Sequence, residues 1–308
     1  MVRTFLKFAV TALLIWVALR GIDFDLFMKN MLTADRLALA AAAALIVSLT
    51  PLLALRWRDI IAAIGFRSSF GTTFPIVWIG LFFSQVLPSA VGGDAMRVWL
   101  AYKSGVTGSG AVTSVLIDRL MGVLAILLLL TVQLPALWNF PLDRPIIAGL
   151  FGLIMMGNLG LVAAASIDRA PAWIQSFKIG RTLAEFSVEL RRTLLNYRRL
   201  FLPLVYSAIN QAGAVVCVAI IGLGLGLKID LATYLIVVPL ANLVQVLPIS
   251  VGGWGLRESF YVLALAKLGV PGSDALALSV LYGLLTMICS LPGGIVWLMY
   301  RHDKIIGK

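Results

Sequence analysis

Apolar segments long enough to cross a lipid bilayer dominate this 308-residue chain, and they constrain its fold more than any other feature. A hydrocarbon core of about 30 Å takes roughly 20 apolar residues as a helix. Residues 4–20, 36–56, 109–132, 145–166, 201–226 and 274–300 approximate that length, and 72–87 and 232–247 are shorter. Inside a bilayer the backbone must satisfy its own polar groups, so the six long stretches are expected to be transmembrane helices. With 61% hydrophobic and 13% charged residues, the chain has half the charge of a water-soluble domain, about 25%. The net charge of +11 fits the positive-inside bias of membrane chains, since no basic run is interleaved with aromatics in a soluble module. Arg3 and Lys7 precede apolar residues up to Leu19 with no small-residue cleavage site, so residues 4–20 read as a retained span. Cys217 and Cys289 lie inside apolar segments and His302 in the tail, a pattern that offers neither a disulfide framework nor a metal site. No cofactor is expected.

Both short stretches end in the same motif, QVLPSAVGGDAMR from Gln85 and QVLPISVGGWGLR from Gln245. Gln85, Val86, Leu87, Pro88, Val91, Gly92, Gly93 and Arg97 recur 160 positions on, and Lys103, Gly105, Val106, Gly108, Ser109 and Ala111 recur 164 positions on. Pro88 and Pro248 lack an N–H and break helices, while Gly92, Gly93, Gly252 and Gly253 allow tight turns. The polar residues that follow, Asp94, Arg97 and Lys103 in one copy and Arg257, Glu258 and Lys267 in the other, exclude a lipid-facing span. Each copy therefore reads as a re-entrant hairpin of two half-helices, over 72–106 and 232–270, within one transmembrane domain over 1–308. Broken helices at membrane depth are tolerated only inside protein or around a polar cavity. Half-helices starting near Gly93 and Gly253 would aim their positive N-terminal ends into that space, where a phosphate is the natural occupant. The plainer alternative is a bend made for packing.

Positive-inside counting sets the topology. Residues 167–200 carry seven basic and three acidic side chains, and 56–71 carry Arg56, Arg58 and Arg67, so both loops belong on the cytoplasmic side. With the N-terminus inside, that holds only if the first hairpin returns to the side it entered from. The tail with Arg301, Lys304 and Lys308 then falls inside as well. Three full spans separate the hairpins, which makes the repeat inverted, as in secondary transporters with sites near the midplane.

Asp118 and Arg119 lie mid-span, where each costs about 2.5–3.5 kcal/mol on insertion scales. Neighbours on a helix do not face one another, so each needs a partner elsewhere. Asp94, Glu258 or a bound phosphate would serve Arg119, and Arg97 or Arg257 would serve Asp118. An ion pair that only orders the bundle is the alternative. Between Arg181 and Arg199, Leu183, Phe186, Leu190, Leu194 and Tyr197 recur at helical spacing, a pattern for an amphipathic helix on the cytoplasmic membrane surface. Asp23 and Asp25, in GIDFD, form an Asp-x-Asp pattern of the kind found beside sugar phosphates in polyprenyl-phosphate glycosyltransferases, although so short a motif is better accounted for by a solvated loop.

The two hairpin stretches, LPSAVGGDAMR and LPISVGGWGLRE, together with Asp118-Arg119, resemble the flippase-like transmembrane region of the lysylphosphatidylglycerol synthetase family over about residues 5–300. The resemblance implies translocation of an anionic phospholipid or polyprenyl-phosphate-linked lipid across the cell inner membrane, without a lipid-synthesising domain. Arg97, Arg119 and Arg257 would then hold phosphate at the Gly92-Gly93 and Gly252-Gly253 breaks, and Asp94, Asp118 and Glu258 would tune those arginines or carry protons. Where the family often has Glu-Arg mid-span, this chain has Asp118-Arg119, and its second repeat has Tyr282-Gly283 there. Charge thus gathers at the first hairpin, which suggests that it forms the binding wall and the second hairpin a gate. A membrane glycosyltransferase, or a non-catalytic subunit serving a lipid-modifying enzyme as partner, are the competing readings.

Overall fold

The computed structural model describes residues 22–87, 92–169, 178–246 and 254–303, all of whose regular structure is helical. The expected span at 4–20 lies outside the described residues, as do Pro88, Pro248, Gly252 and Gly253. In chain order the helices are α1 (Phe24–Thr33), α2 (Arg36–Ala63), α3 (Phe70–Val86), α4 (Gly92–Lys103), α5 (Gly108–Val132) and α6 (Leu134–Trp138). Then come α7 (Arg144–Ala164), a 3-10 turn (Ile167–Arg169), α8 (Lys178–Leu195), α9 (Tyr197–Gly224), α10 (Leu231–Val246), α11 (Leu256–Ala266) and α12 (Gly272–Asp303). Five of them, α2, α5, α7, α9 and α12, are long and apolar enough to cross a membrane. This is a multi-pass membrane protein.

At about 1.5 Å per residue, α3 with 17 residues and α10 with 16 fall short of a 30 Å core, and α4 with 12 and α11 with 11 fall shorter still. The arms α3 and α4 fold back on each other so closely that a Cβ on Gly93 would land on Ser84 Oγ and the Gly80 carbonyl. Glycine is the only side chain that fits there. In the second hairpin α11 starts at Leu256, three residues after Gly253. Gly255, at φ 85°, ends the turn, and its N–H donates to Glu258 Oε2 at 2.7 Å.

The repeat extends one helix further back than the motif, pairing α2–α5 with α9–α12. Helices α2 and α9 both have 28 residues, offset by 161. Both end in the same cap, with Phe66 N–H donating to Ile61 O and Leu227 N–H to Gly222 O around Gly65 and Gly226, each at positive φ. The hairpins also end alike, Val106 N–H donating to Ala101 O and Val270 N–H to Leu265 O around Gly105 and Gly269. These are Schellman caps, which need a left-handed residue that glycine adopts without strain. Asp35 N–H donates to Gly224 O, Cys217 Sγ approaches Ala42 O, and Arg56 Nη1 donates to Ser207 Oγ. The contacts run in opposite chain directions, so α2 and α9 are antiparallel partners that cross near Thr50 and Gln211.

Helix α8 has the expected amphipathic face, but its apolar side is spent on protein. Phe186 and Leu190 pack with Ile60 of α2 and with Ile117 and Met121 of α5. Arg191 grips Asp168 through both carboxylate oxygens, at 2.6 and 2.7 Å, and Ser187 Oγ donates to Asp168 at 3.0 Å. The Arg191 guanidinium holds the Asp168 carboxyl below the ordinary carboxylate range. Ser187 itself is fully buried.

Candidate functional site

Successive residues on a helix point about 100° apart, so Asp118 and Arg119 diverge into different surroundings. Asp118, 2% exposed, accepts from Arg56 Nε at 2.6 Å and from Arg97 Nη2 at 2.8 Å. The Arg97 guanidinium lies 4.5 Å over the Trp57 ring, and the Trp57 indole N–H donates to Ser114. Arg119, its side chain half exposed, donates from Nε to both Asp94 oxygens at 3.0 and 2.8 Å. Asp94 also stands 3.8 Å from Arg97 Nη1. Three arginines and two aspartates from α2, α4 and α5 thus form one connected group with an excess positive charge.

The structure brings together two of the expected pairs, Arg119 with Asp94 and Asp118 with Arg97. Asp118 with Arg257, and Arg119 with Glu258, do not meet. Arg56 was counted in a cytoplasmic loop because hydropathy falls at the first arginine, yet α2 runs on to Ala63 and buries it. The signal was present in Trp57, Ile60 and Ile61, which continue the apolar face beyond Arg56 with no turn residue between.

The second repeat builds its centre differently. Arg257 bonds its own neighbour Glu258, Nη2 to Oε1 at 2.5 Å, and Nε reaches Ser279 Oγ at 3.1 Å. Glu258, which also accepts the Gly255 N–H, thereby caps α11 while balancing Arg257. The Arg257 guanidinium lies 5.0 Å from the Trp254 ring and 5.7 Å from that of Tyr282, the residue at Asp118's place in the repeat. Gly283 stands where the first repeat has Arg119, and a Cβ there would collide with Arg257 Nη2. At the position where one half sets the Asp118 carboxylate against its arginine, the other sets the Tyr282 ring.

Next to Arg257 is a cavity of about 150 Å³ lined by Gln85, Gln245, Trp254, Arg257, Tyr282, Gly283 and Thr286. Gln85 and Gln245 are the equivalent residues of the two motifs, so the C-terminal ends of α3 and α10 reach one space. A second cavity, of about 180 Å³, shares Gln85, Tyr282 and Thr286 with it and reaches the α2–α9 crossing at Thr50 and Asn210. Arg97, Arg119, Asp94 and Asp118 line neither cavity, and Gly92 and Gly93 serve the close contact between α3 and α4. Away from these centres, Asp23 caps α1 by accepting the Leu26 N–H, and Asp25 lies in that helix's first turn.

A family profile described as lysylphosphatidylglycerol synthase TM region matches residues 4–293. The chain is similar to a UPF0104 membrane protein of Methanothermobacter thermautotrophicus, 20% identical over 279 residues, which cover 82% of this chain and 80% of that one. It is also similar to glycosyltransferase AglD of Haloferax volcanii, 25% identical over 306 residues, covering 85% of this chain and 48% of AglD. The chain therefore spans about half of AglD's length.

Proposed function

The chain belongs to the lysylphosphatidylglycerol synthase transmembrane-region family, and from that premise we propose that it translocates an anionic, phosphate-bearing lipid across the cell inner membrane. The observation that carries this reading is the polar cavity where Gln85 and Gln245, from the C-terminal ends of α3 and α10, meet Arg257 inside an apolar bundle. A phosphate moved through hydrocarbon alone loses its hydration without replacement, whereas a guanidinium offers charge-assisted hydrogen bonds in a forked geometry. The acyl chains stay in lipid while the headgroup passes between the hairpins. Arg257 is the arginine that meets the headgroup, Arg119 draws it in from its half-exposed position, and the Arg56–Asp118–Arg97 group holds the first hairpin rigid.

The test is headgroup accessibility in proteoliposomes containing a labelled anionic phospholipid. Arg257→Gln is expected to abolish exchange between leaflets and Arg119→Ala to slow it. Undiminished exchange in both variants would remove this reading. The relation to AglD supports a glycosyltransferase as the second reading. Sugar transfer by the purified protein, lost in Asp25→Asn and kept in Arg257→Gln, would decide for it. Co-purification with a lipid-modifying enzyme, together with absence of intrinsic exchange, would favour a subunit role.

A further inference from the structure

The larger cavity differs from the Arg257 site in its chemistry. Its polar lining consists of Thr50, Gln85, Asn210, Tyr282, Thr286 and Ser290, with the thiols of Cys217 and Cys289, and no charged side chain takes part. Three of the hydroxyls have already committed their protons to their own helices. Thr50 Oγ1 donates to Ile46 O, Thr286 Oγ1 to Tyr282 O and Ser290 Oγ to Met287 O. Both thiols likewise face carbonyls of α2, Cys217 that of Ala42 and Cys289 that of Ala43. What those hydroxyls still offer is oxygen lone pairs, and the amides of Gln85 and Asn210 add both donors and acceptors.

That inventory selects among ligands. A phosphate only accepts hydrogen bonds, so the three committed hydroxyls offer it no proton and only the two amides and the Tyr282 hydroxyl could donate to it, whereas Arg257 in the adjoining cavity offers a charged donor. An ammonium group would be left without a counter-carboxylate, which is costly in a dry interior. Ligand hydroxyls can donate to the three oxygens and both donate to and accept from the two amides. Because Gln85, Tyr282 and Thr286 line both cavities, a hydroxylated group in the larger one lies beside a phosphate held at Arg257. Ligand pockets run upward from about 300 Å³, so the adjoining spaces of about 180 and 150 Å³ have room for a headgroup and none for acyl chains.

Resting on the translocation reading, we propose that the cargo headgroup is an uncharged polyol, a sugar or a polyhydroxylated ring, joined to a single phosphate, with the hydroxyls seated among Thr50, Gln85, Asn210, Thr286 and Ser290 and the phosphate at Arg257. The site discriminates by hydrogen-bond polarity. A headgroup without hydroxyls leaves buried acceptors unmatched, and an aminoacylated headgroup places a cation where no carboxylate lies.

The experiment measures binding to the purified full chain in nanodiscs, using dihexanoyl phosphatidylinositol, dihexanoyl phosphatidic acid and lysyl-phosphatidylglycerol as probes. Phosphatidylinositol is expected to bind at least tenfold more tightly than phosphatidic acid, the effect of about two net hydrogen bonds. Asn210→Leu, at a residue that lines the larger cavity alone, should erase most of that preference while leaving phosphatidic acid binding unchanged. Thr50→Val, which preserves shape and removes one acceptor, gives the same readout if the larger change disturbs folding. Equal affinity for the first two probes, tightest binding of the lysylated lipid, or equal weakening of both probes by Asn210→Leu and Thr50→Val would overturn the proposal. Leaflet exchange is scored separately with the same lipids. Selective binding without exchange would overturn translocation and leave the cargo assignment standing, and exchange without selectivity would do the reverse.

Discussion

Arg97 Nη2 lies 2.8 Å from Asp118 Oδ2, and this bond ties the returning arm of the first hairpin to the neighbouring span. Arg56 takes the other oxygen at 2.6 Å, so one carboxylate balances arginines from two elements. Removing it leaves the buried Arg56 without its carboxylate and Arg97 with only the more distant Asp94, a loss of about 3–5 kcal/mol. Asp118→Ala should therefore melt far below the wild type in a thermal scan of purified protein. A wild-type melting temperature would show that the pair does not hold the bundle together.

Arg119 forms an ion pair with its side chain half exposed, and such pairs are worth about 0–1 kcal/mol. Arg119→Ala is expected to melt within a few degrees of wild type, in contrast to Asp118→Ala. A large loss of stability would mean that the Asp94 pair is as structural as the buried one.

Arg97→Lys and Arg257→Lys should separate stability from transport. A lysine at position 97 loses the forked, stacked geometry between Asp118 and Trp57, so its main effect should appear in the melting temperature. Lysine at position 257 keeps a charge beside Glu258 but loses the planar group that faces the cavity. Its leaflet exchange should fall about tenfold or more with a smaller change in stability. The opposite ranking would return the binding role to the first hairpin.

Gly93→Ala should destabilise by about 1–3 kcal/mol, the usual result of overpacking, because its Cβ meets Ser84 and the Gly80 carbonyl. Gly108→Ala, where a Cβ has open space, is the control in the same melt. Similar behaviour of the two would contradict the close contact between α3 and α4.

The Asp168–Arg191 bridge sets a pH dependence for α8 docking. Arg191 depresses the folded-state pKa of Asp168, so the bridge contributes fully above the ordinary value near 3.9. That contribution disappears as pH falls through the lower, folded-state value. Hydrogen exchange over residues 178–195 should therefore be flat from about pH 5 to 8, after correction for the intrinsic rate, and accelerate only in strong acid. Arg191→Ala should remove the acid step, and an acid step that survives it would assign the effect to another group.

Topology can be read by labelling single cysteines in a background of Cys217→Ser and Cys289→Ser. Arg192→Cys, at an exposed position on α8, is expected to label from the cytoplasm and Asn139→Cys from outside. Labelling of both from one face would break the inverted arrangement. Ser187, on the same helix, is buried and would give no information.

The membrane class and the long apolar spans were legible in the sequence, for one physical reason. Hydrocarbon imposes length and apolarity on every residue that faces it, whereas proline and paired glycines do not by themselves end a helix, since α12 runs on through Pro292, Gly293 and Gly294. The recurrence of Gly105 at Gly269 was legible as well, and the structure shows why both are glycine, since each holds a left-handed position in a matched cap. Charge pairing was legible in part: Asp118 with Arg97 and Arg119 with Asp94 were among the expected pairs, and Asp118 with Arg56 was not. Hydropathy ends α2 at Arg56, and only the fold shows that Asp118, 62 residues later, supplies the partner that lets the helix run on through the arginine. The sequence likewise placed the density of charge at the first hairpin and suggested the binding wall there. In three dimensions those charges are engaged with one another, and the open polar space lies beside Arg257, in the half where the uncharged Tyr282 stands at Asp118's place. Which arginine is held and which faces a cavity depends on side chains from distant helices arriving within about 3 Å, and spacing along one chain does not encode that distance.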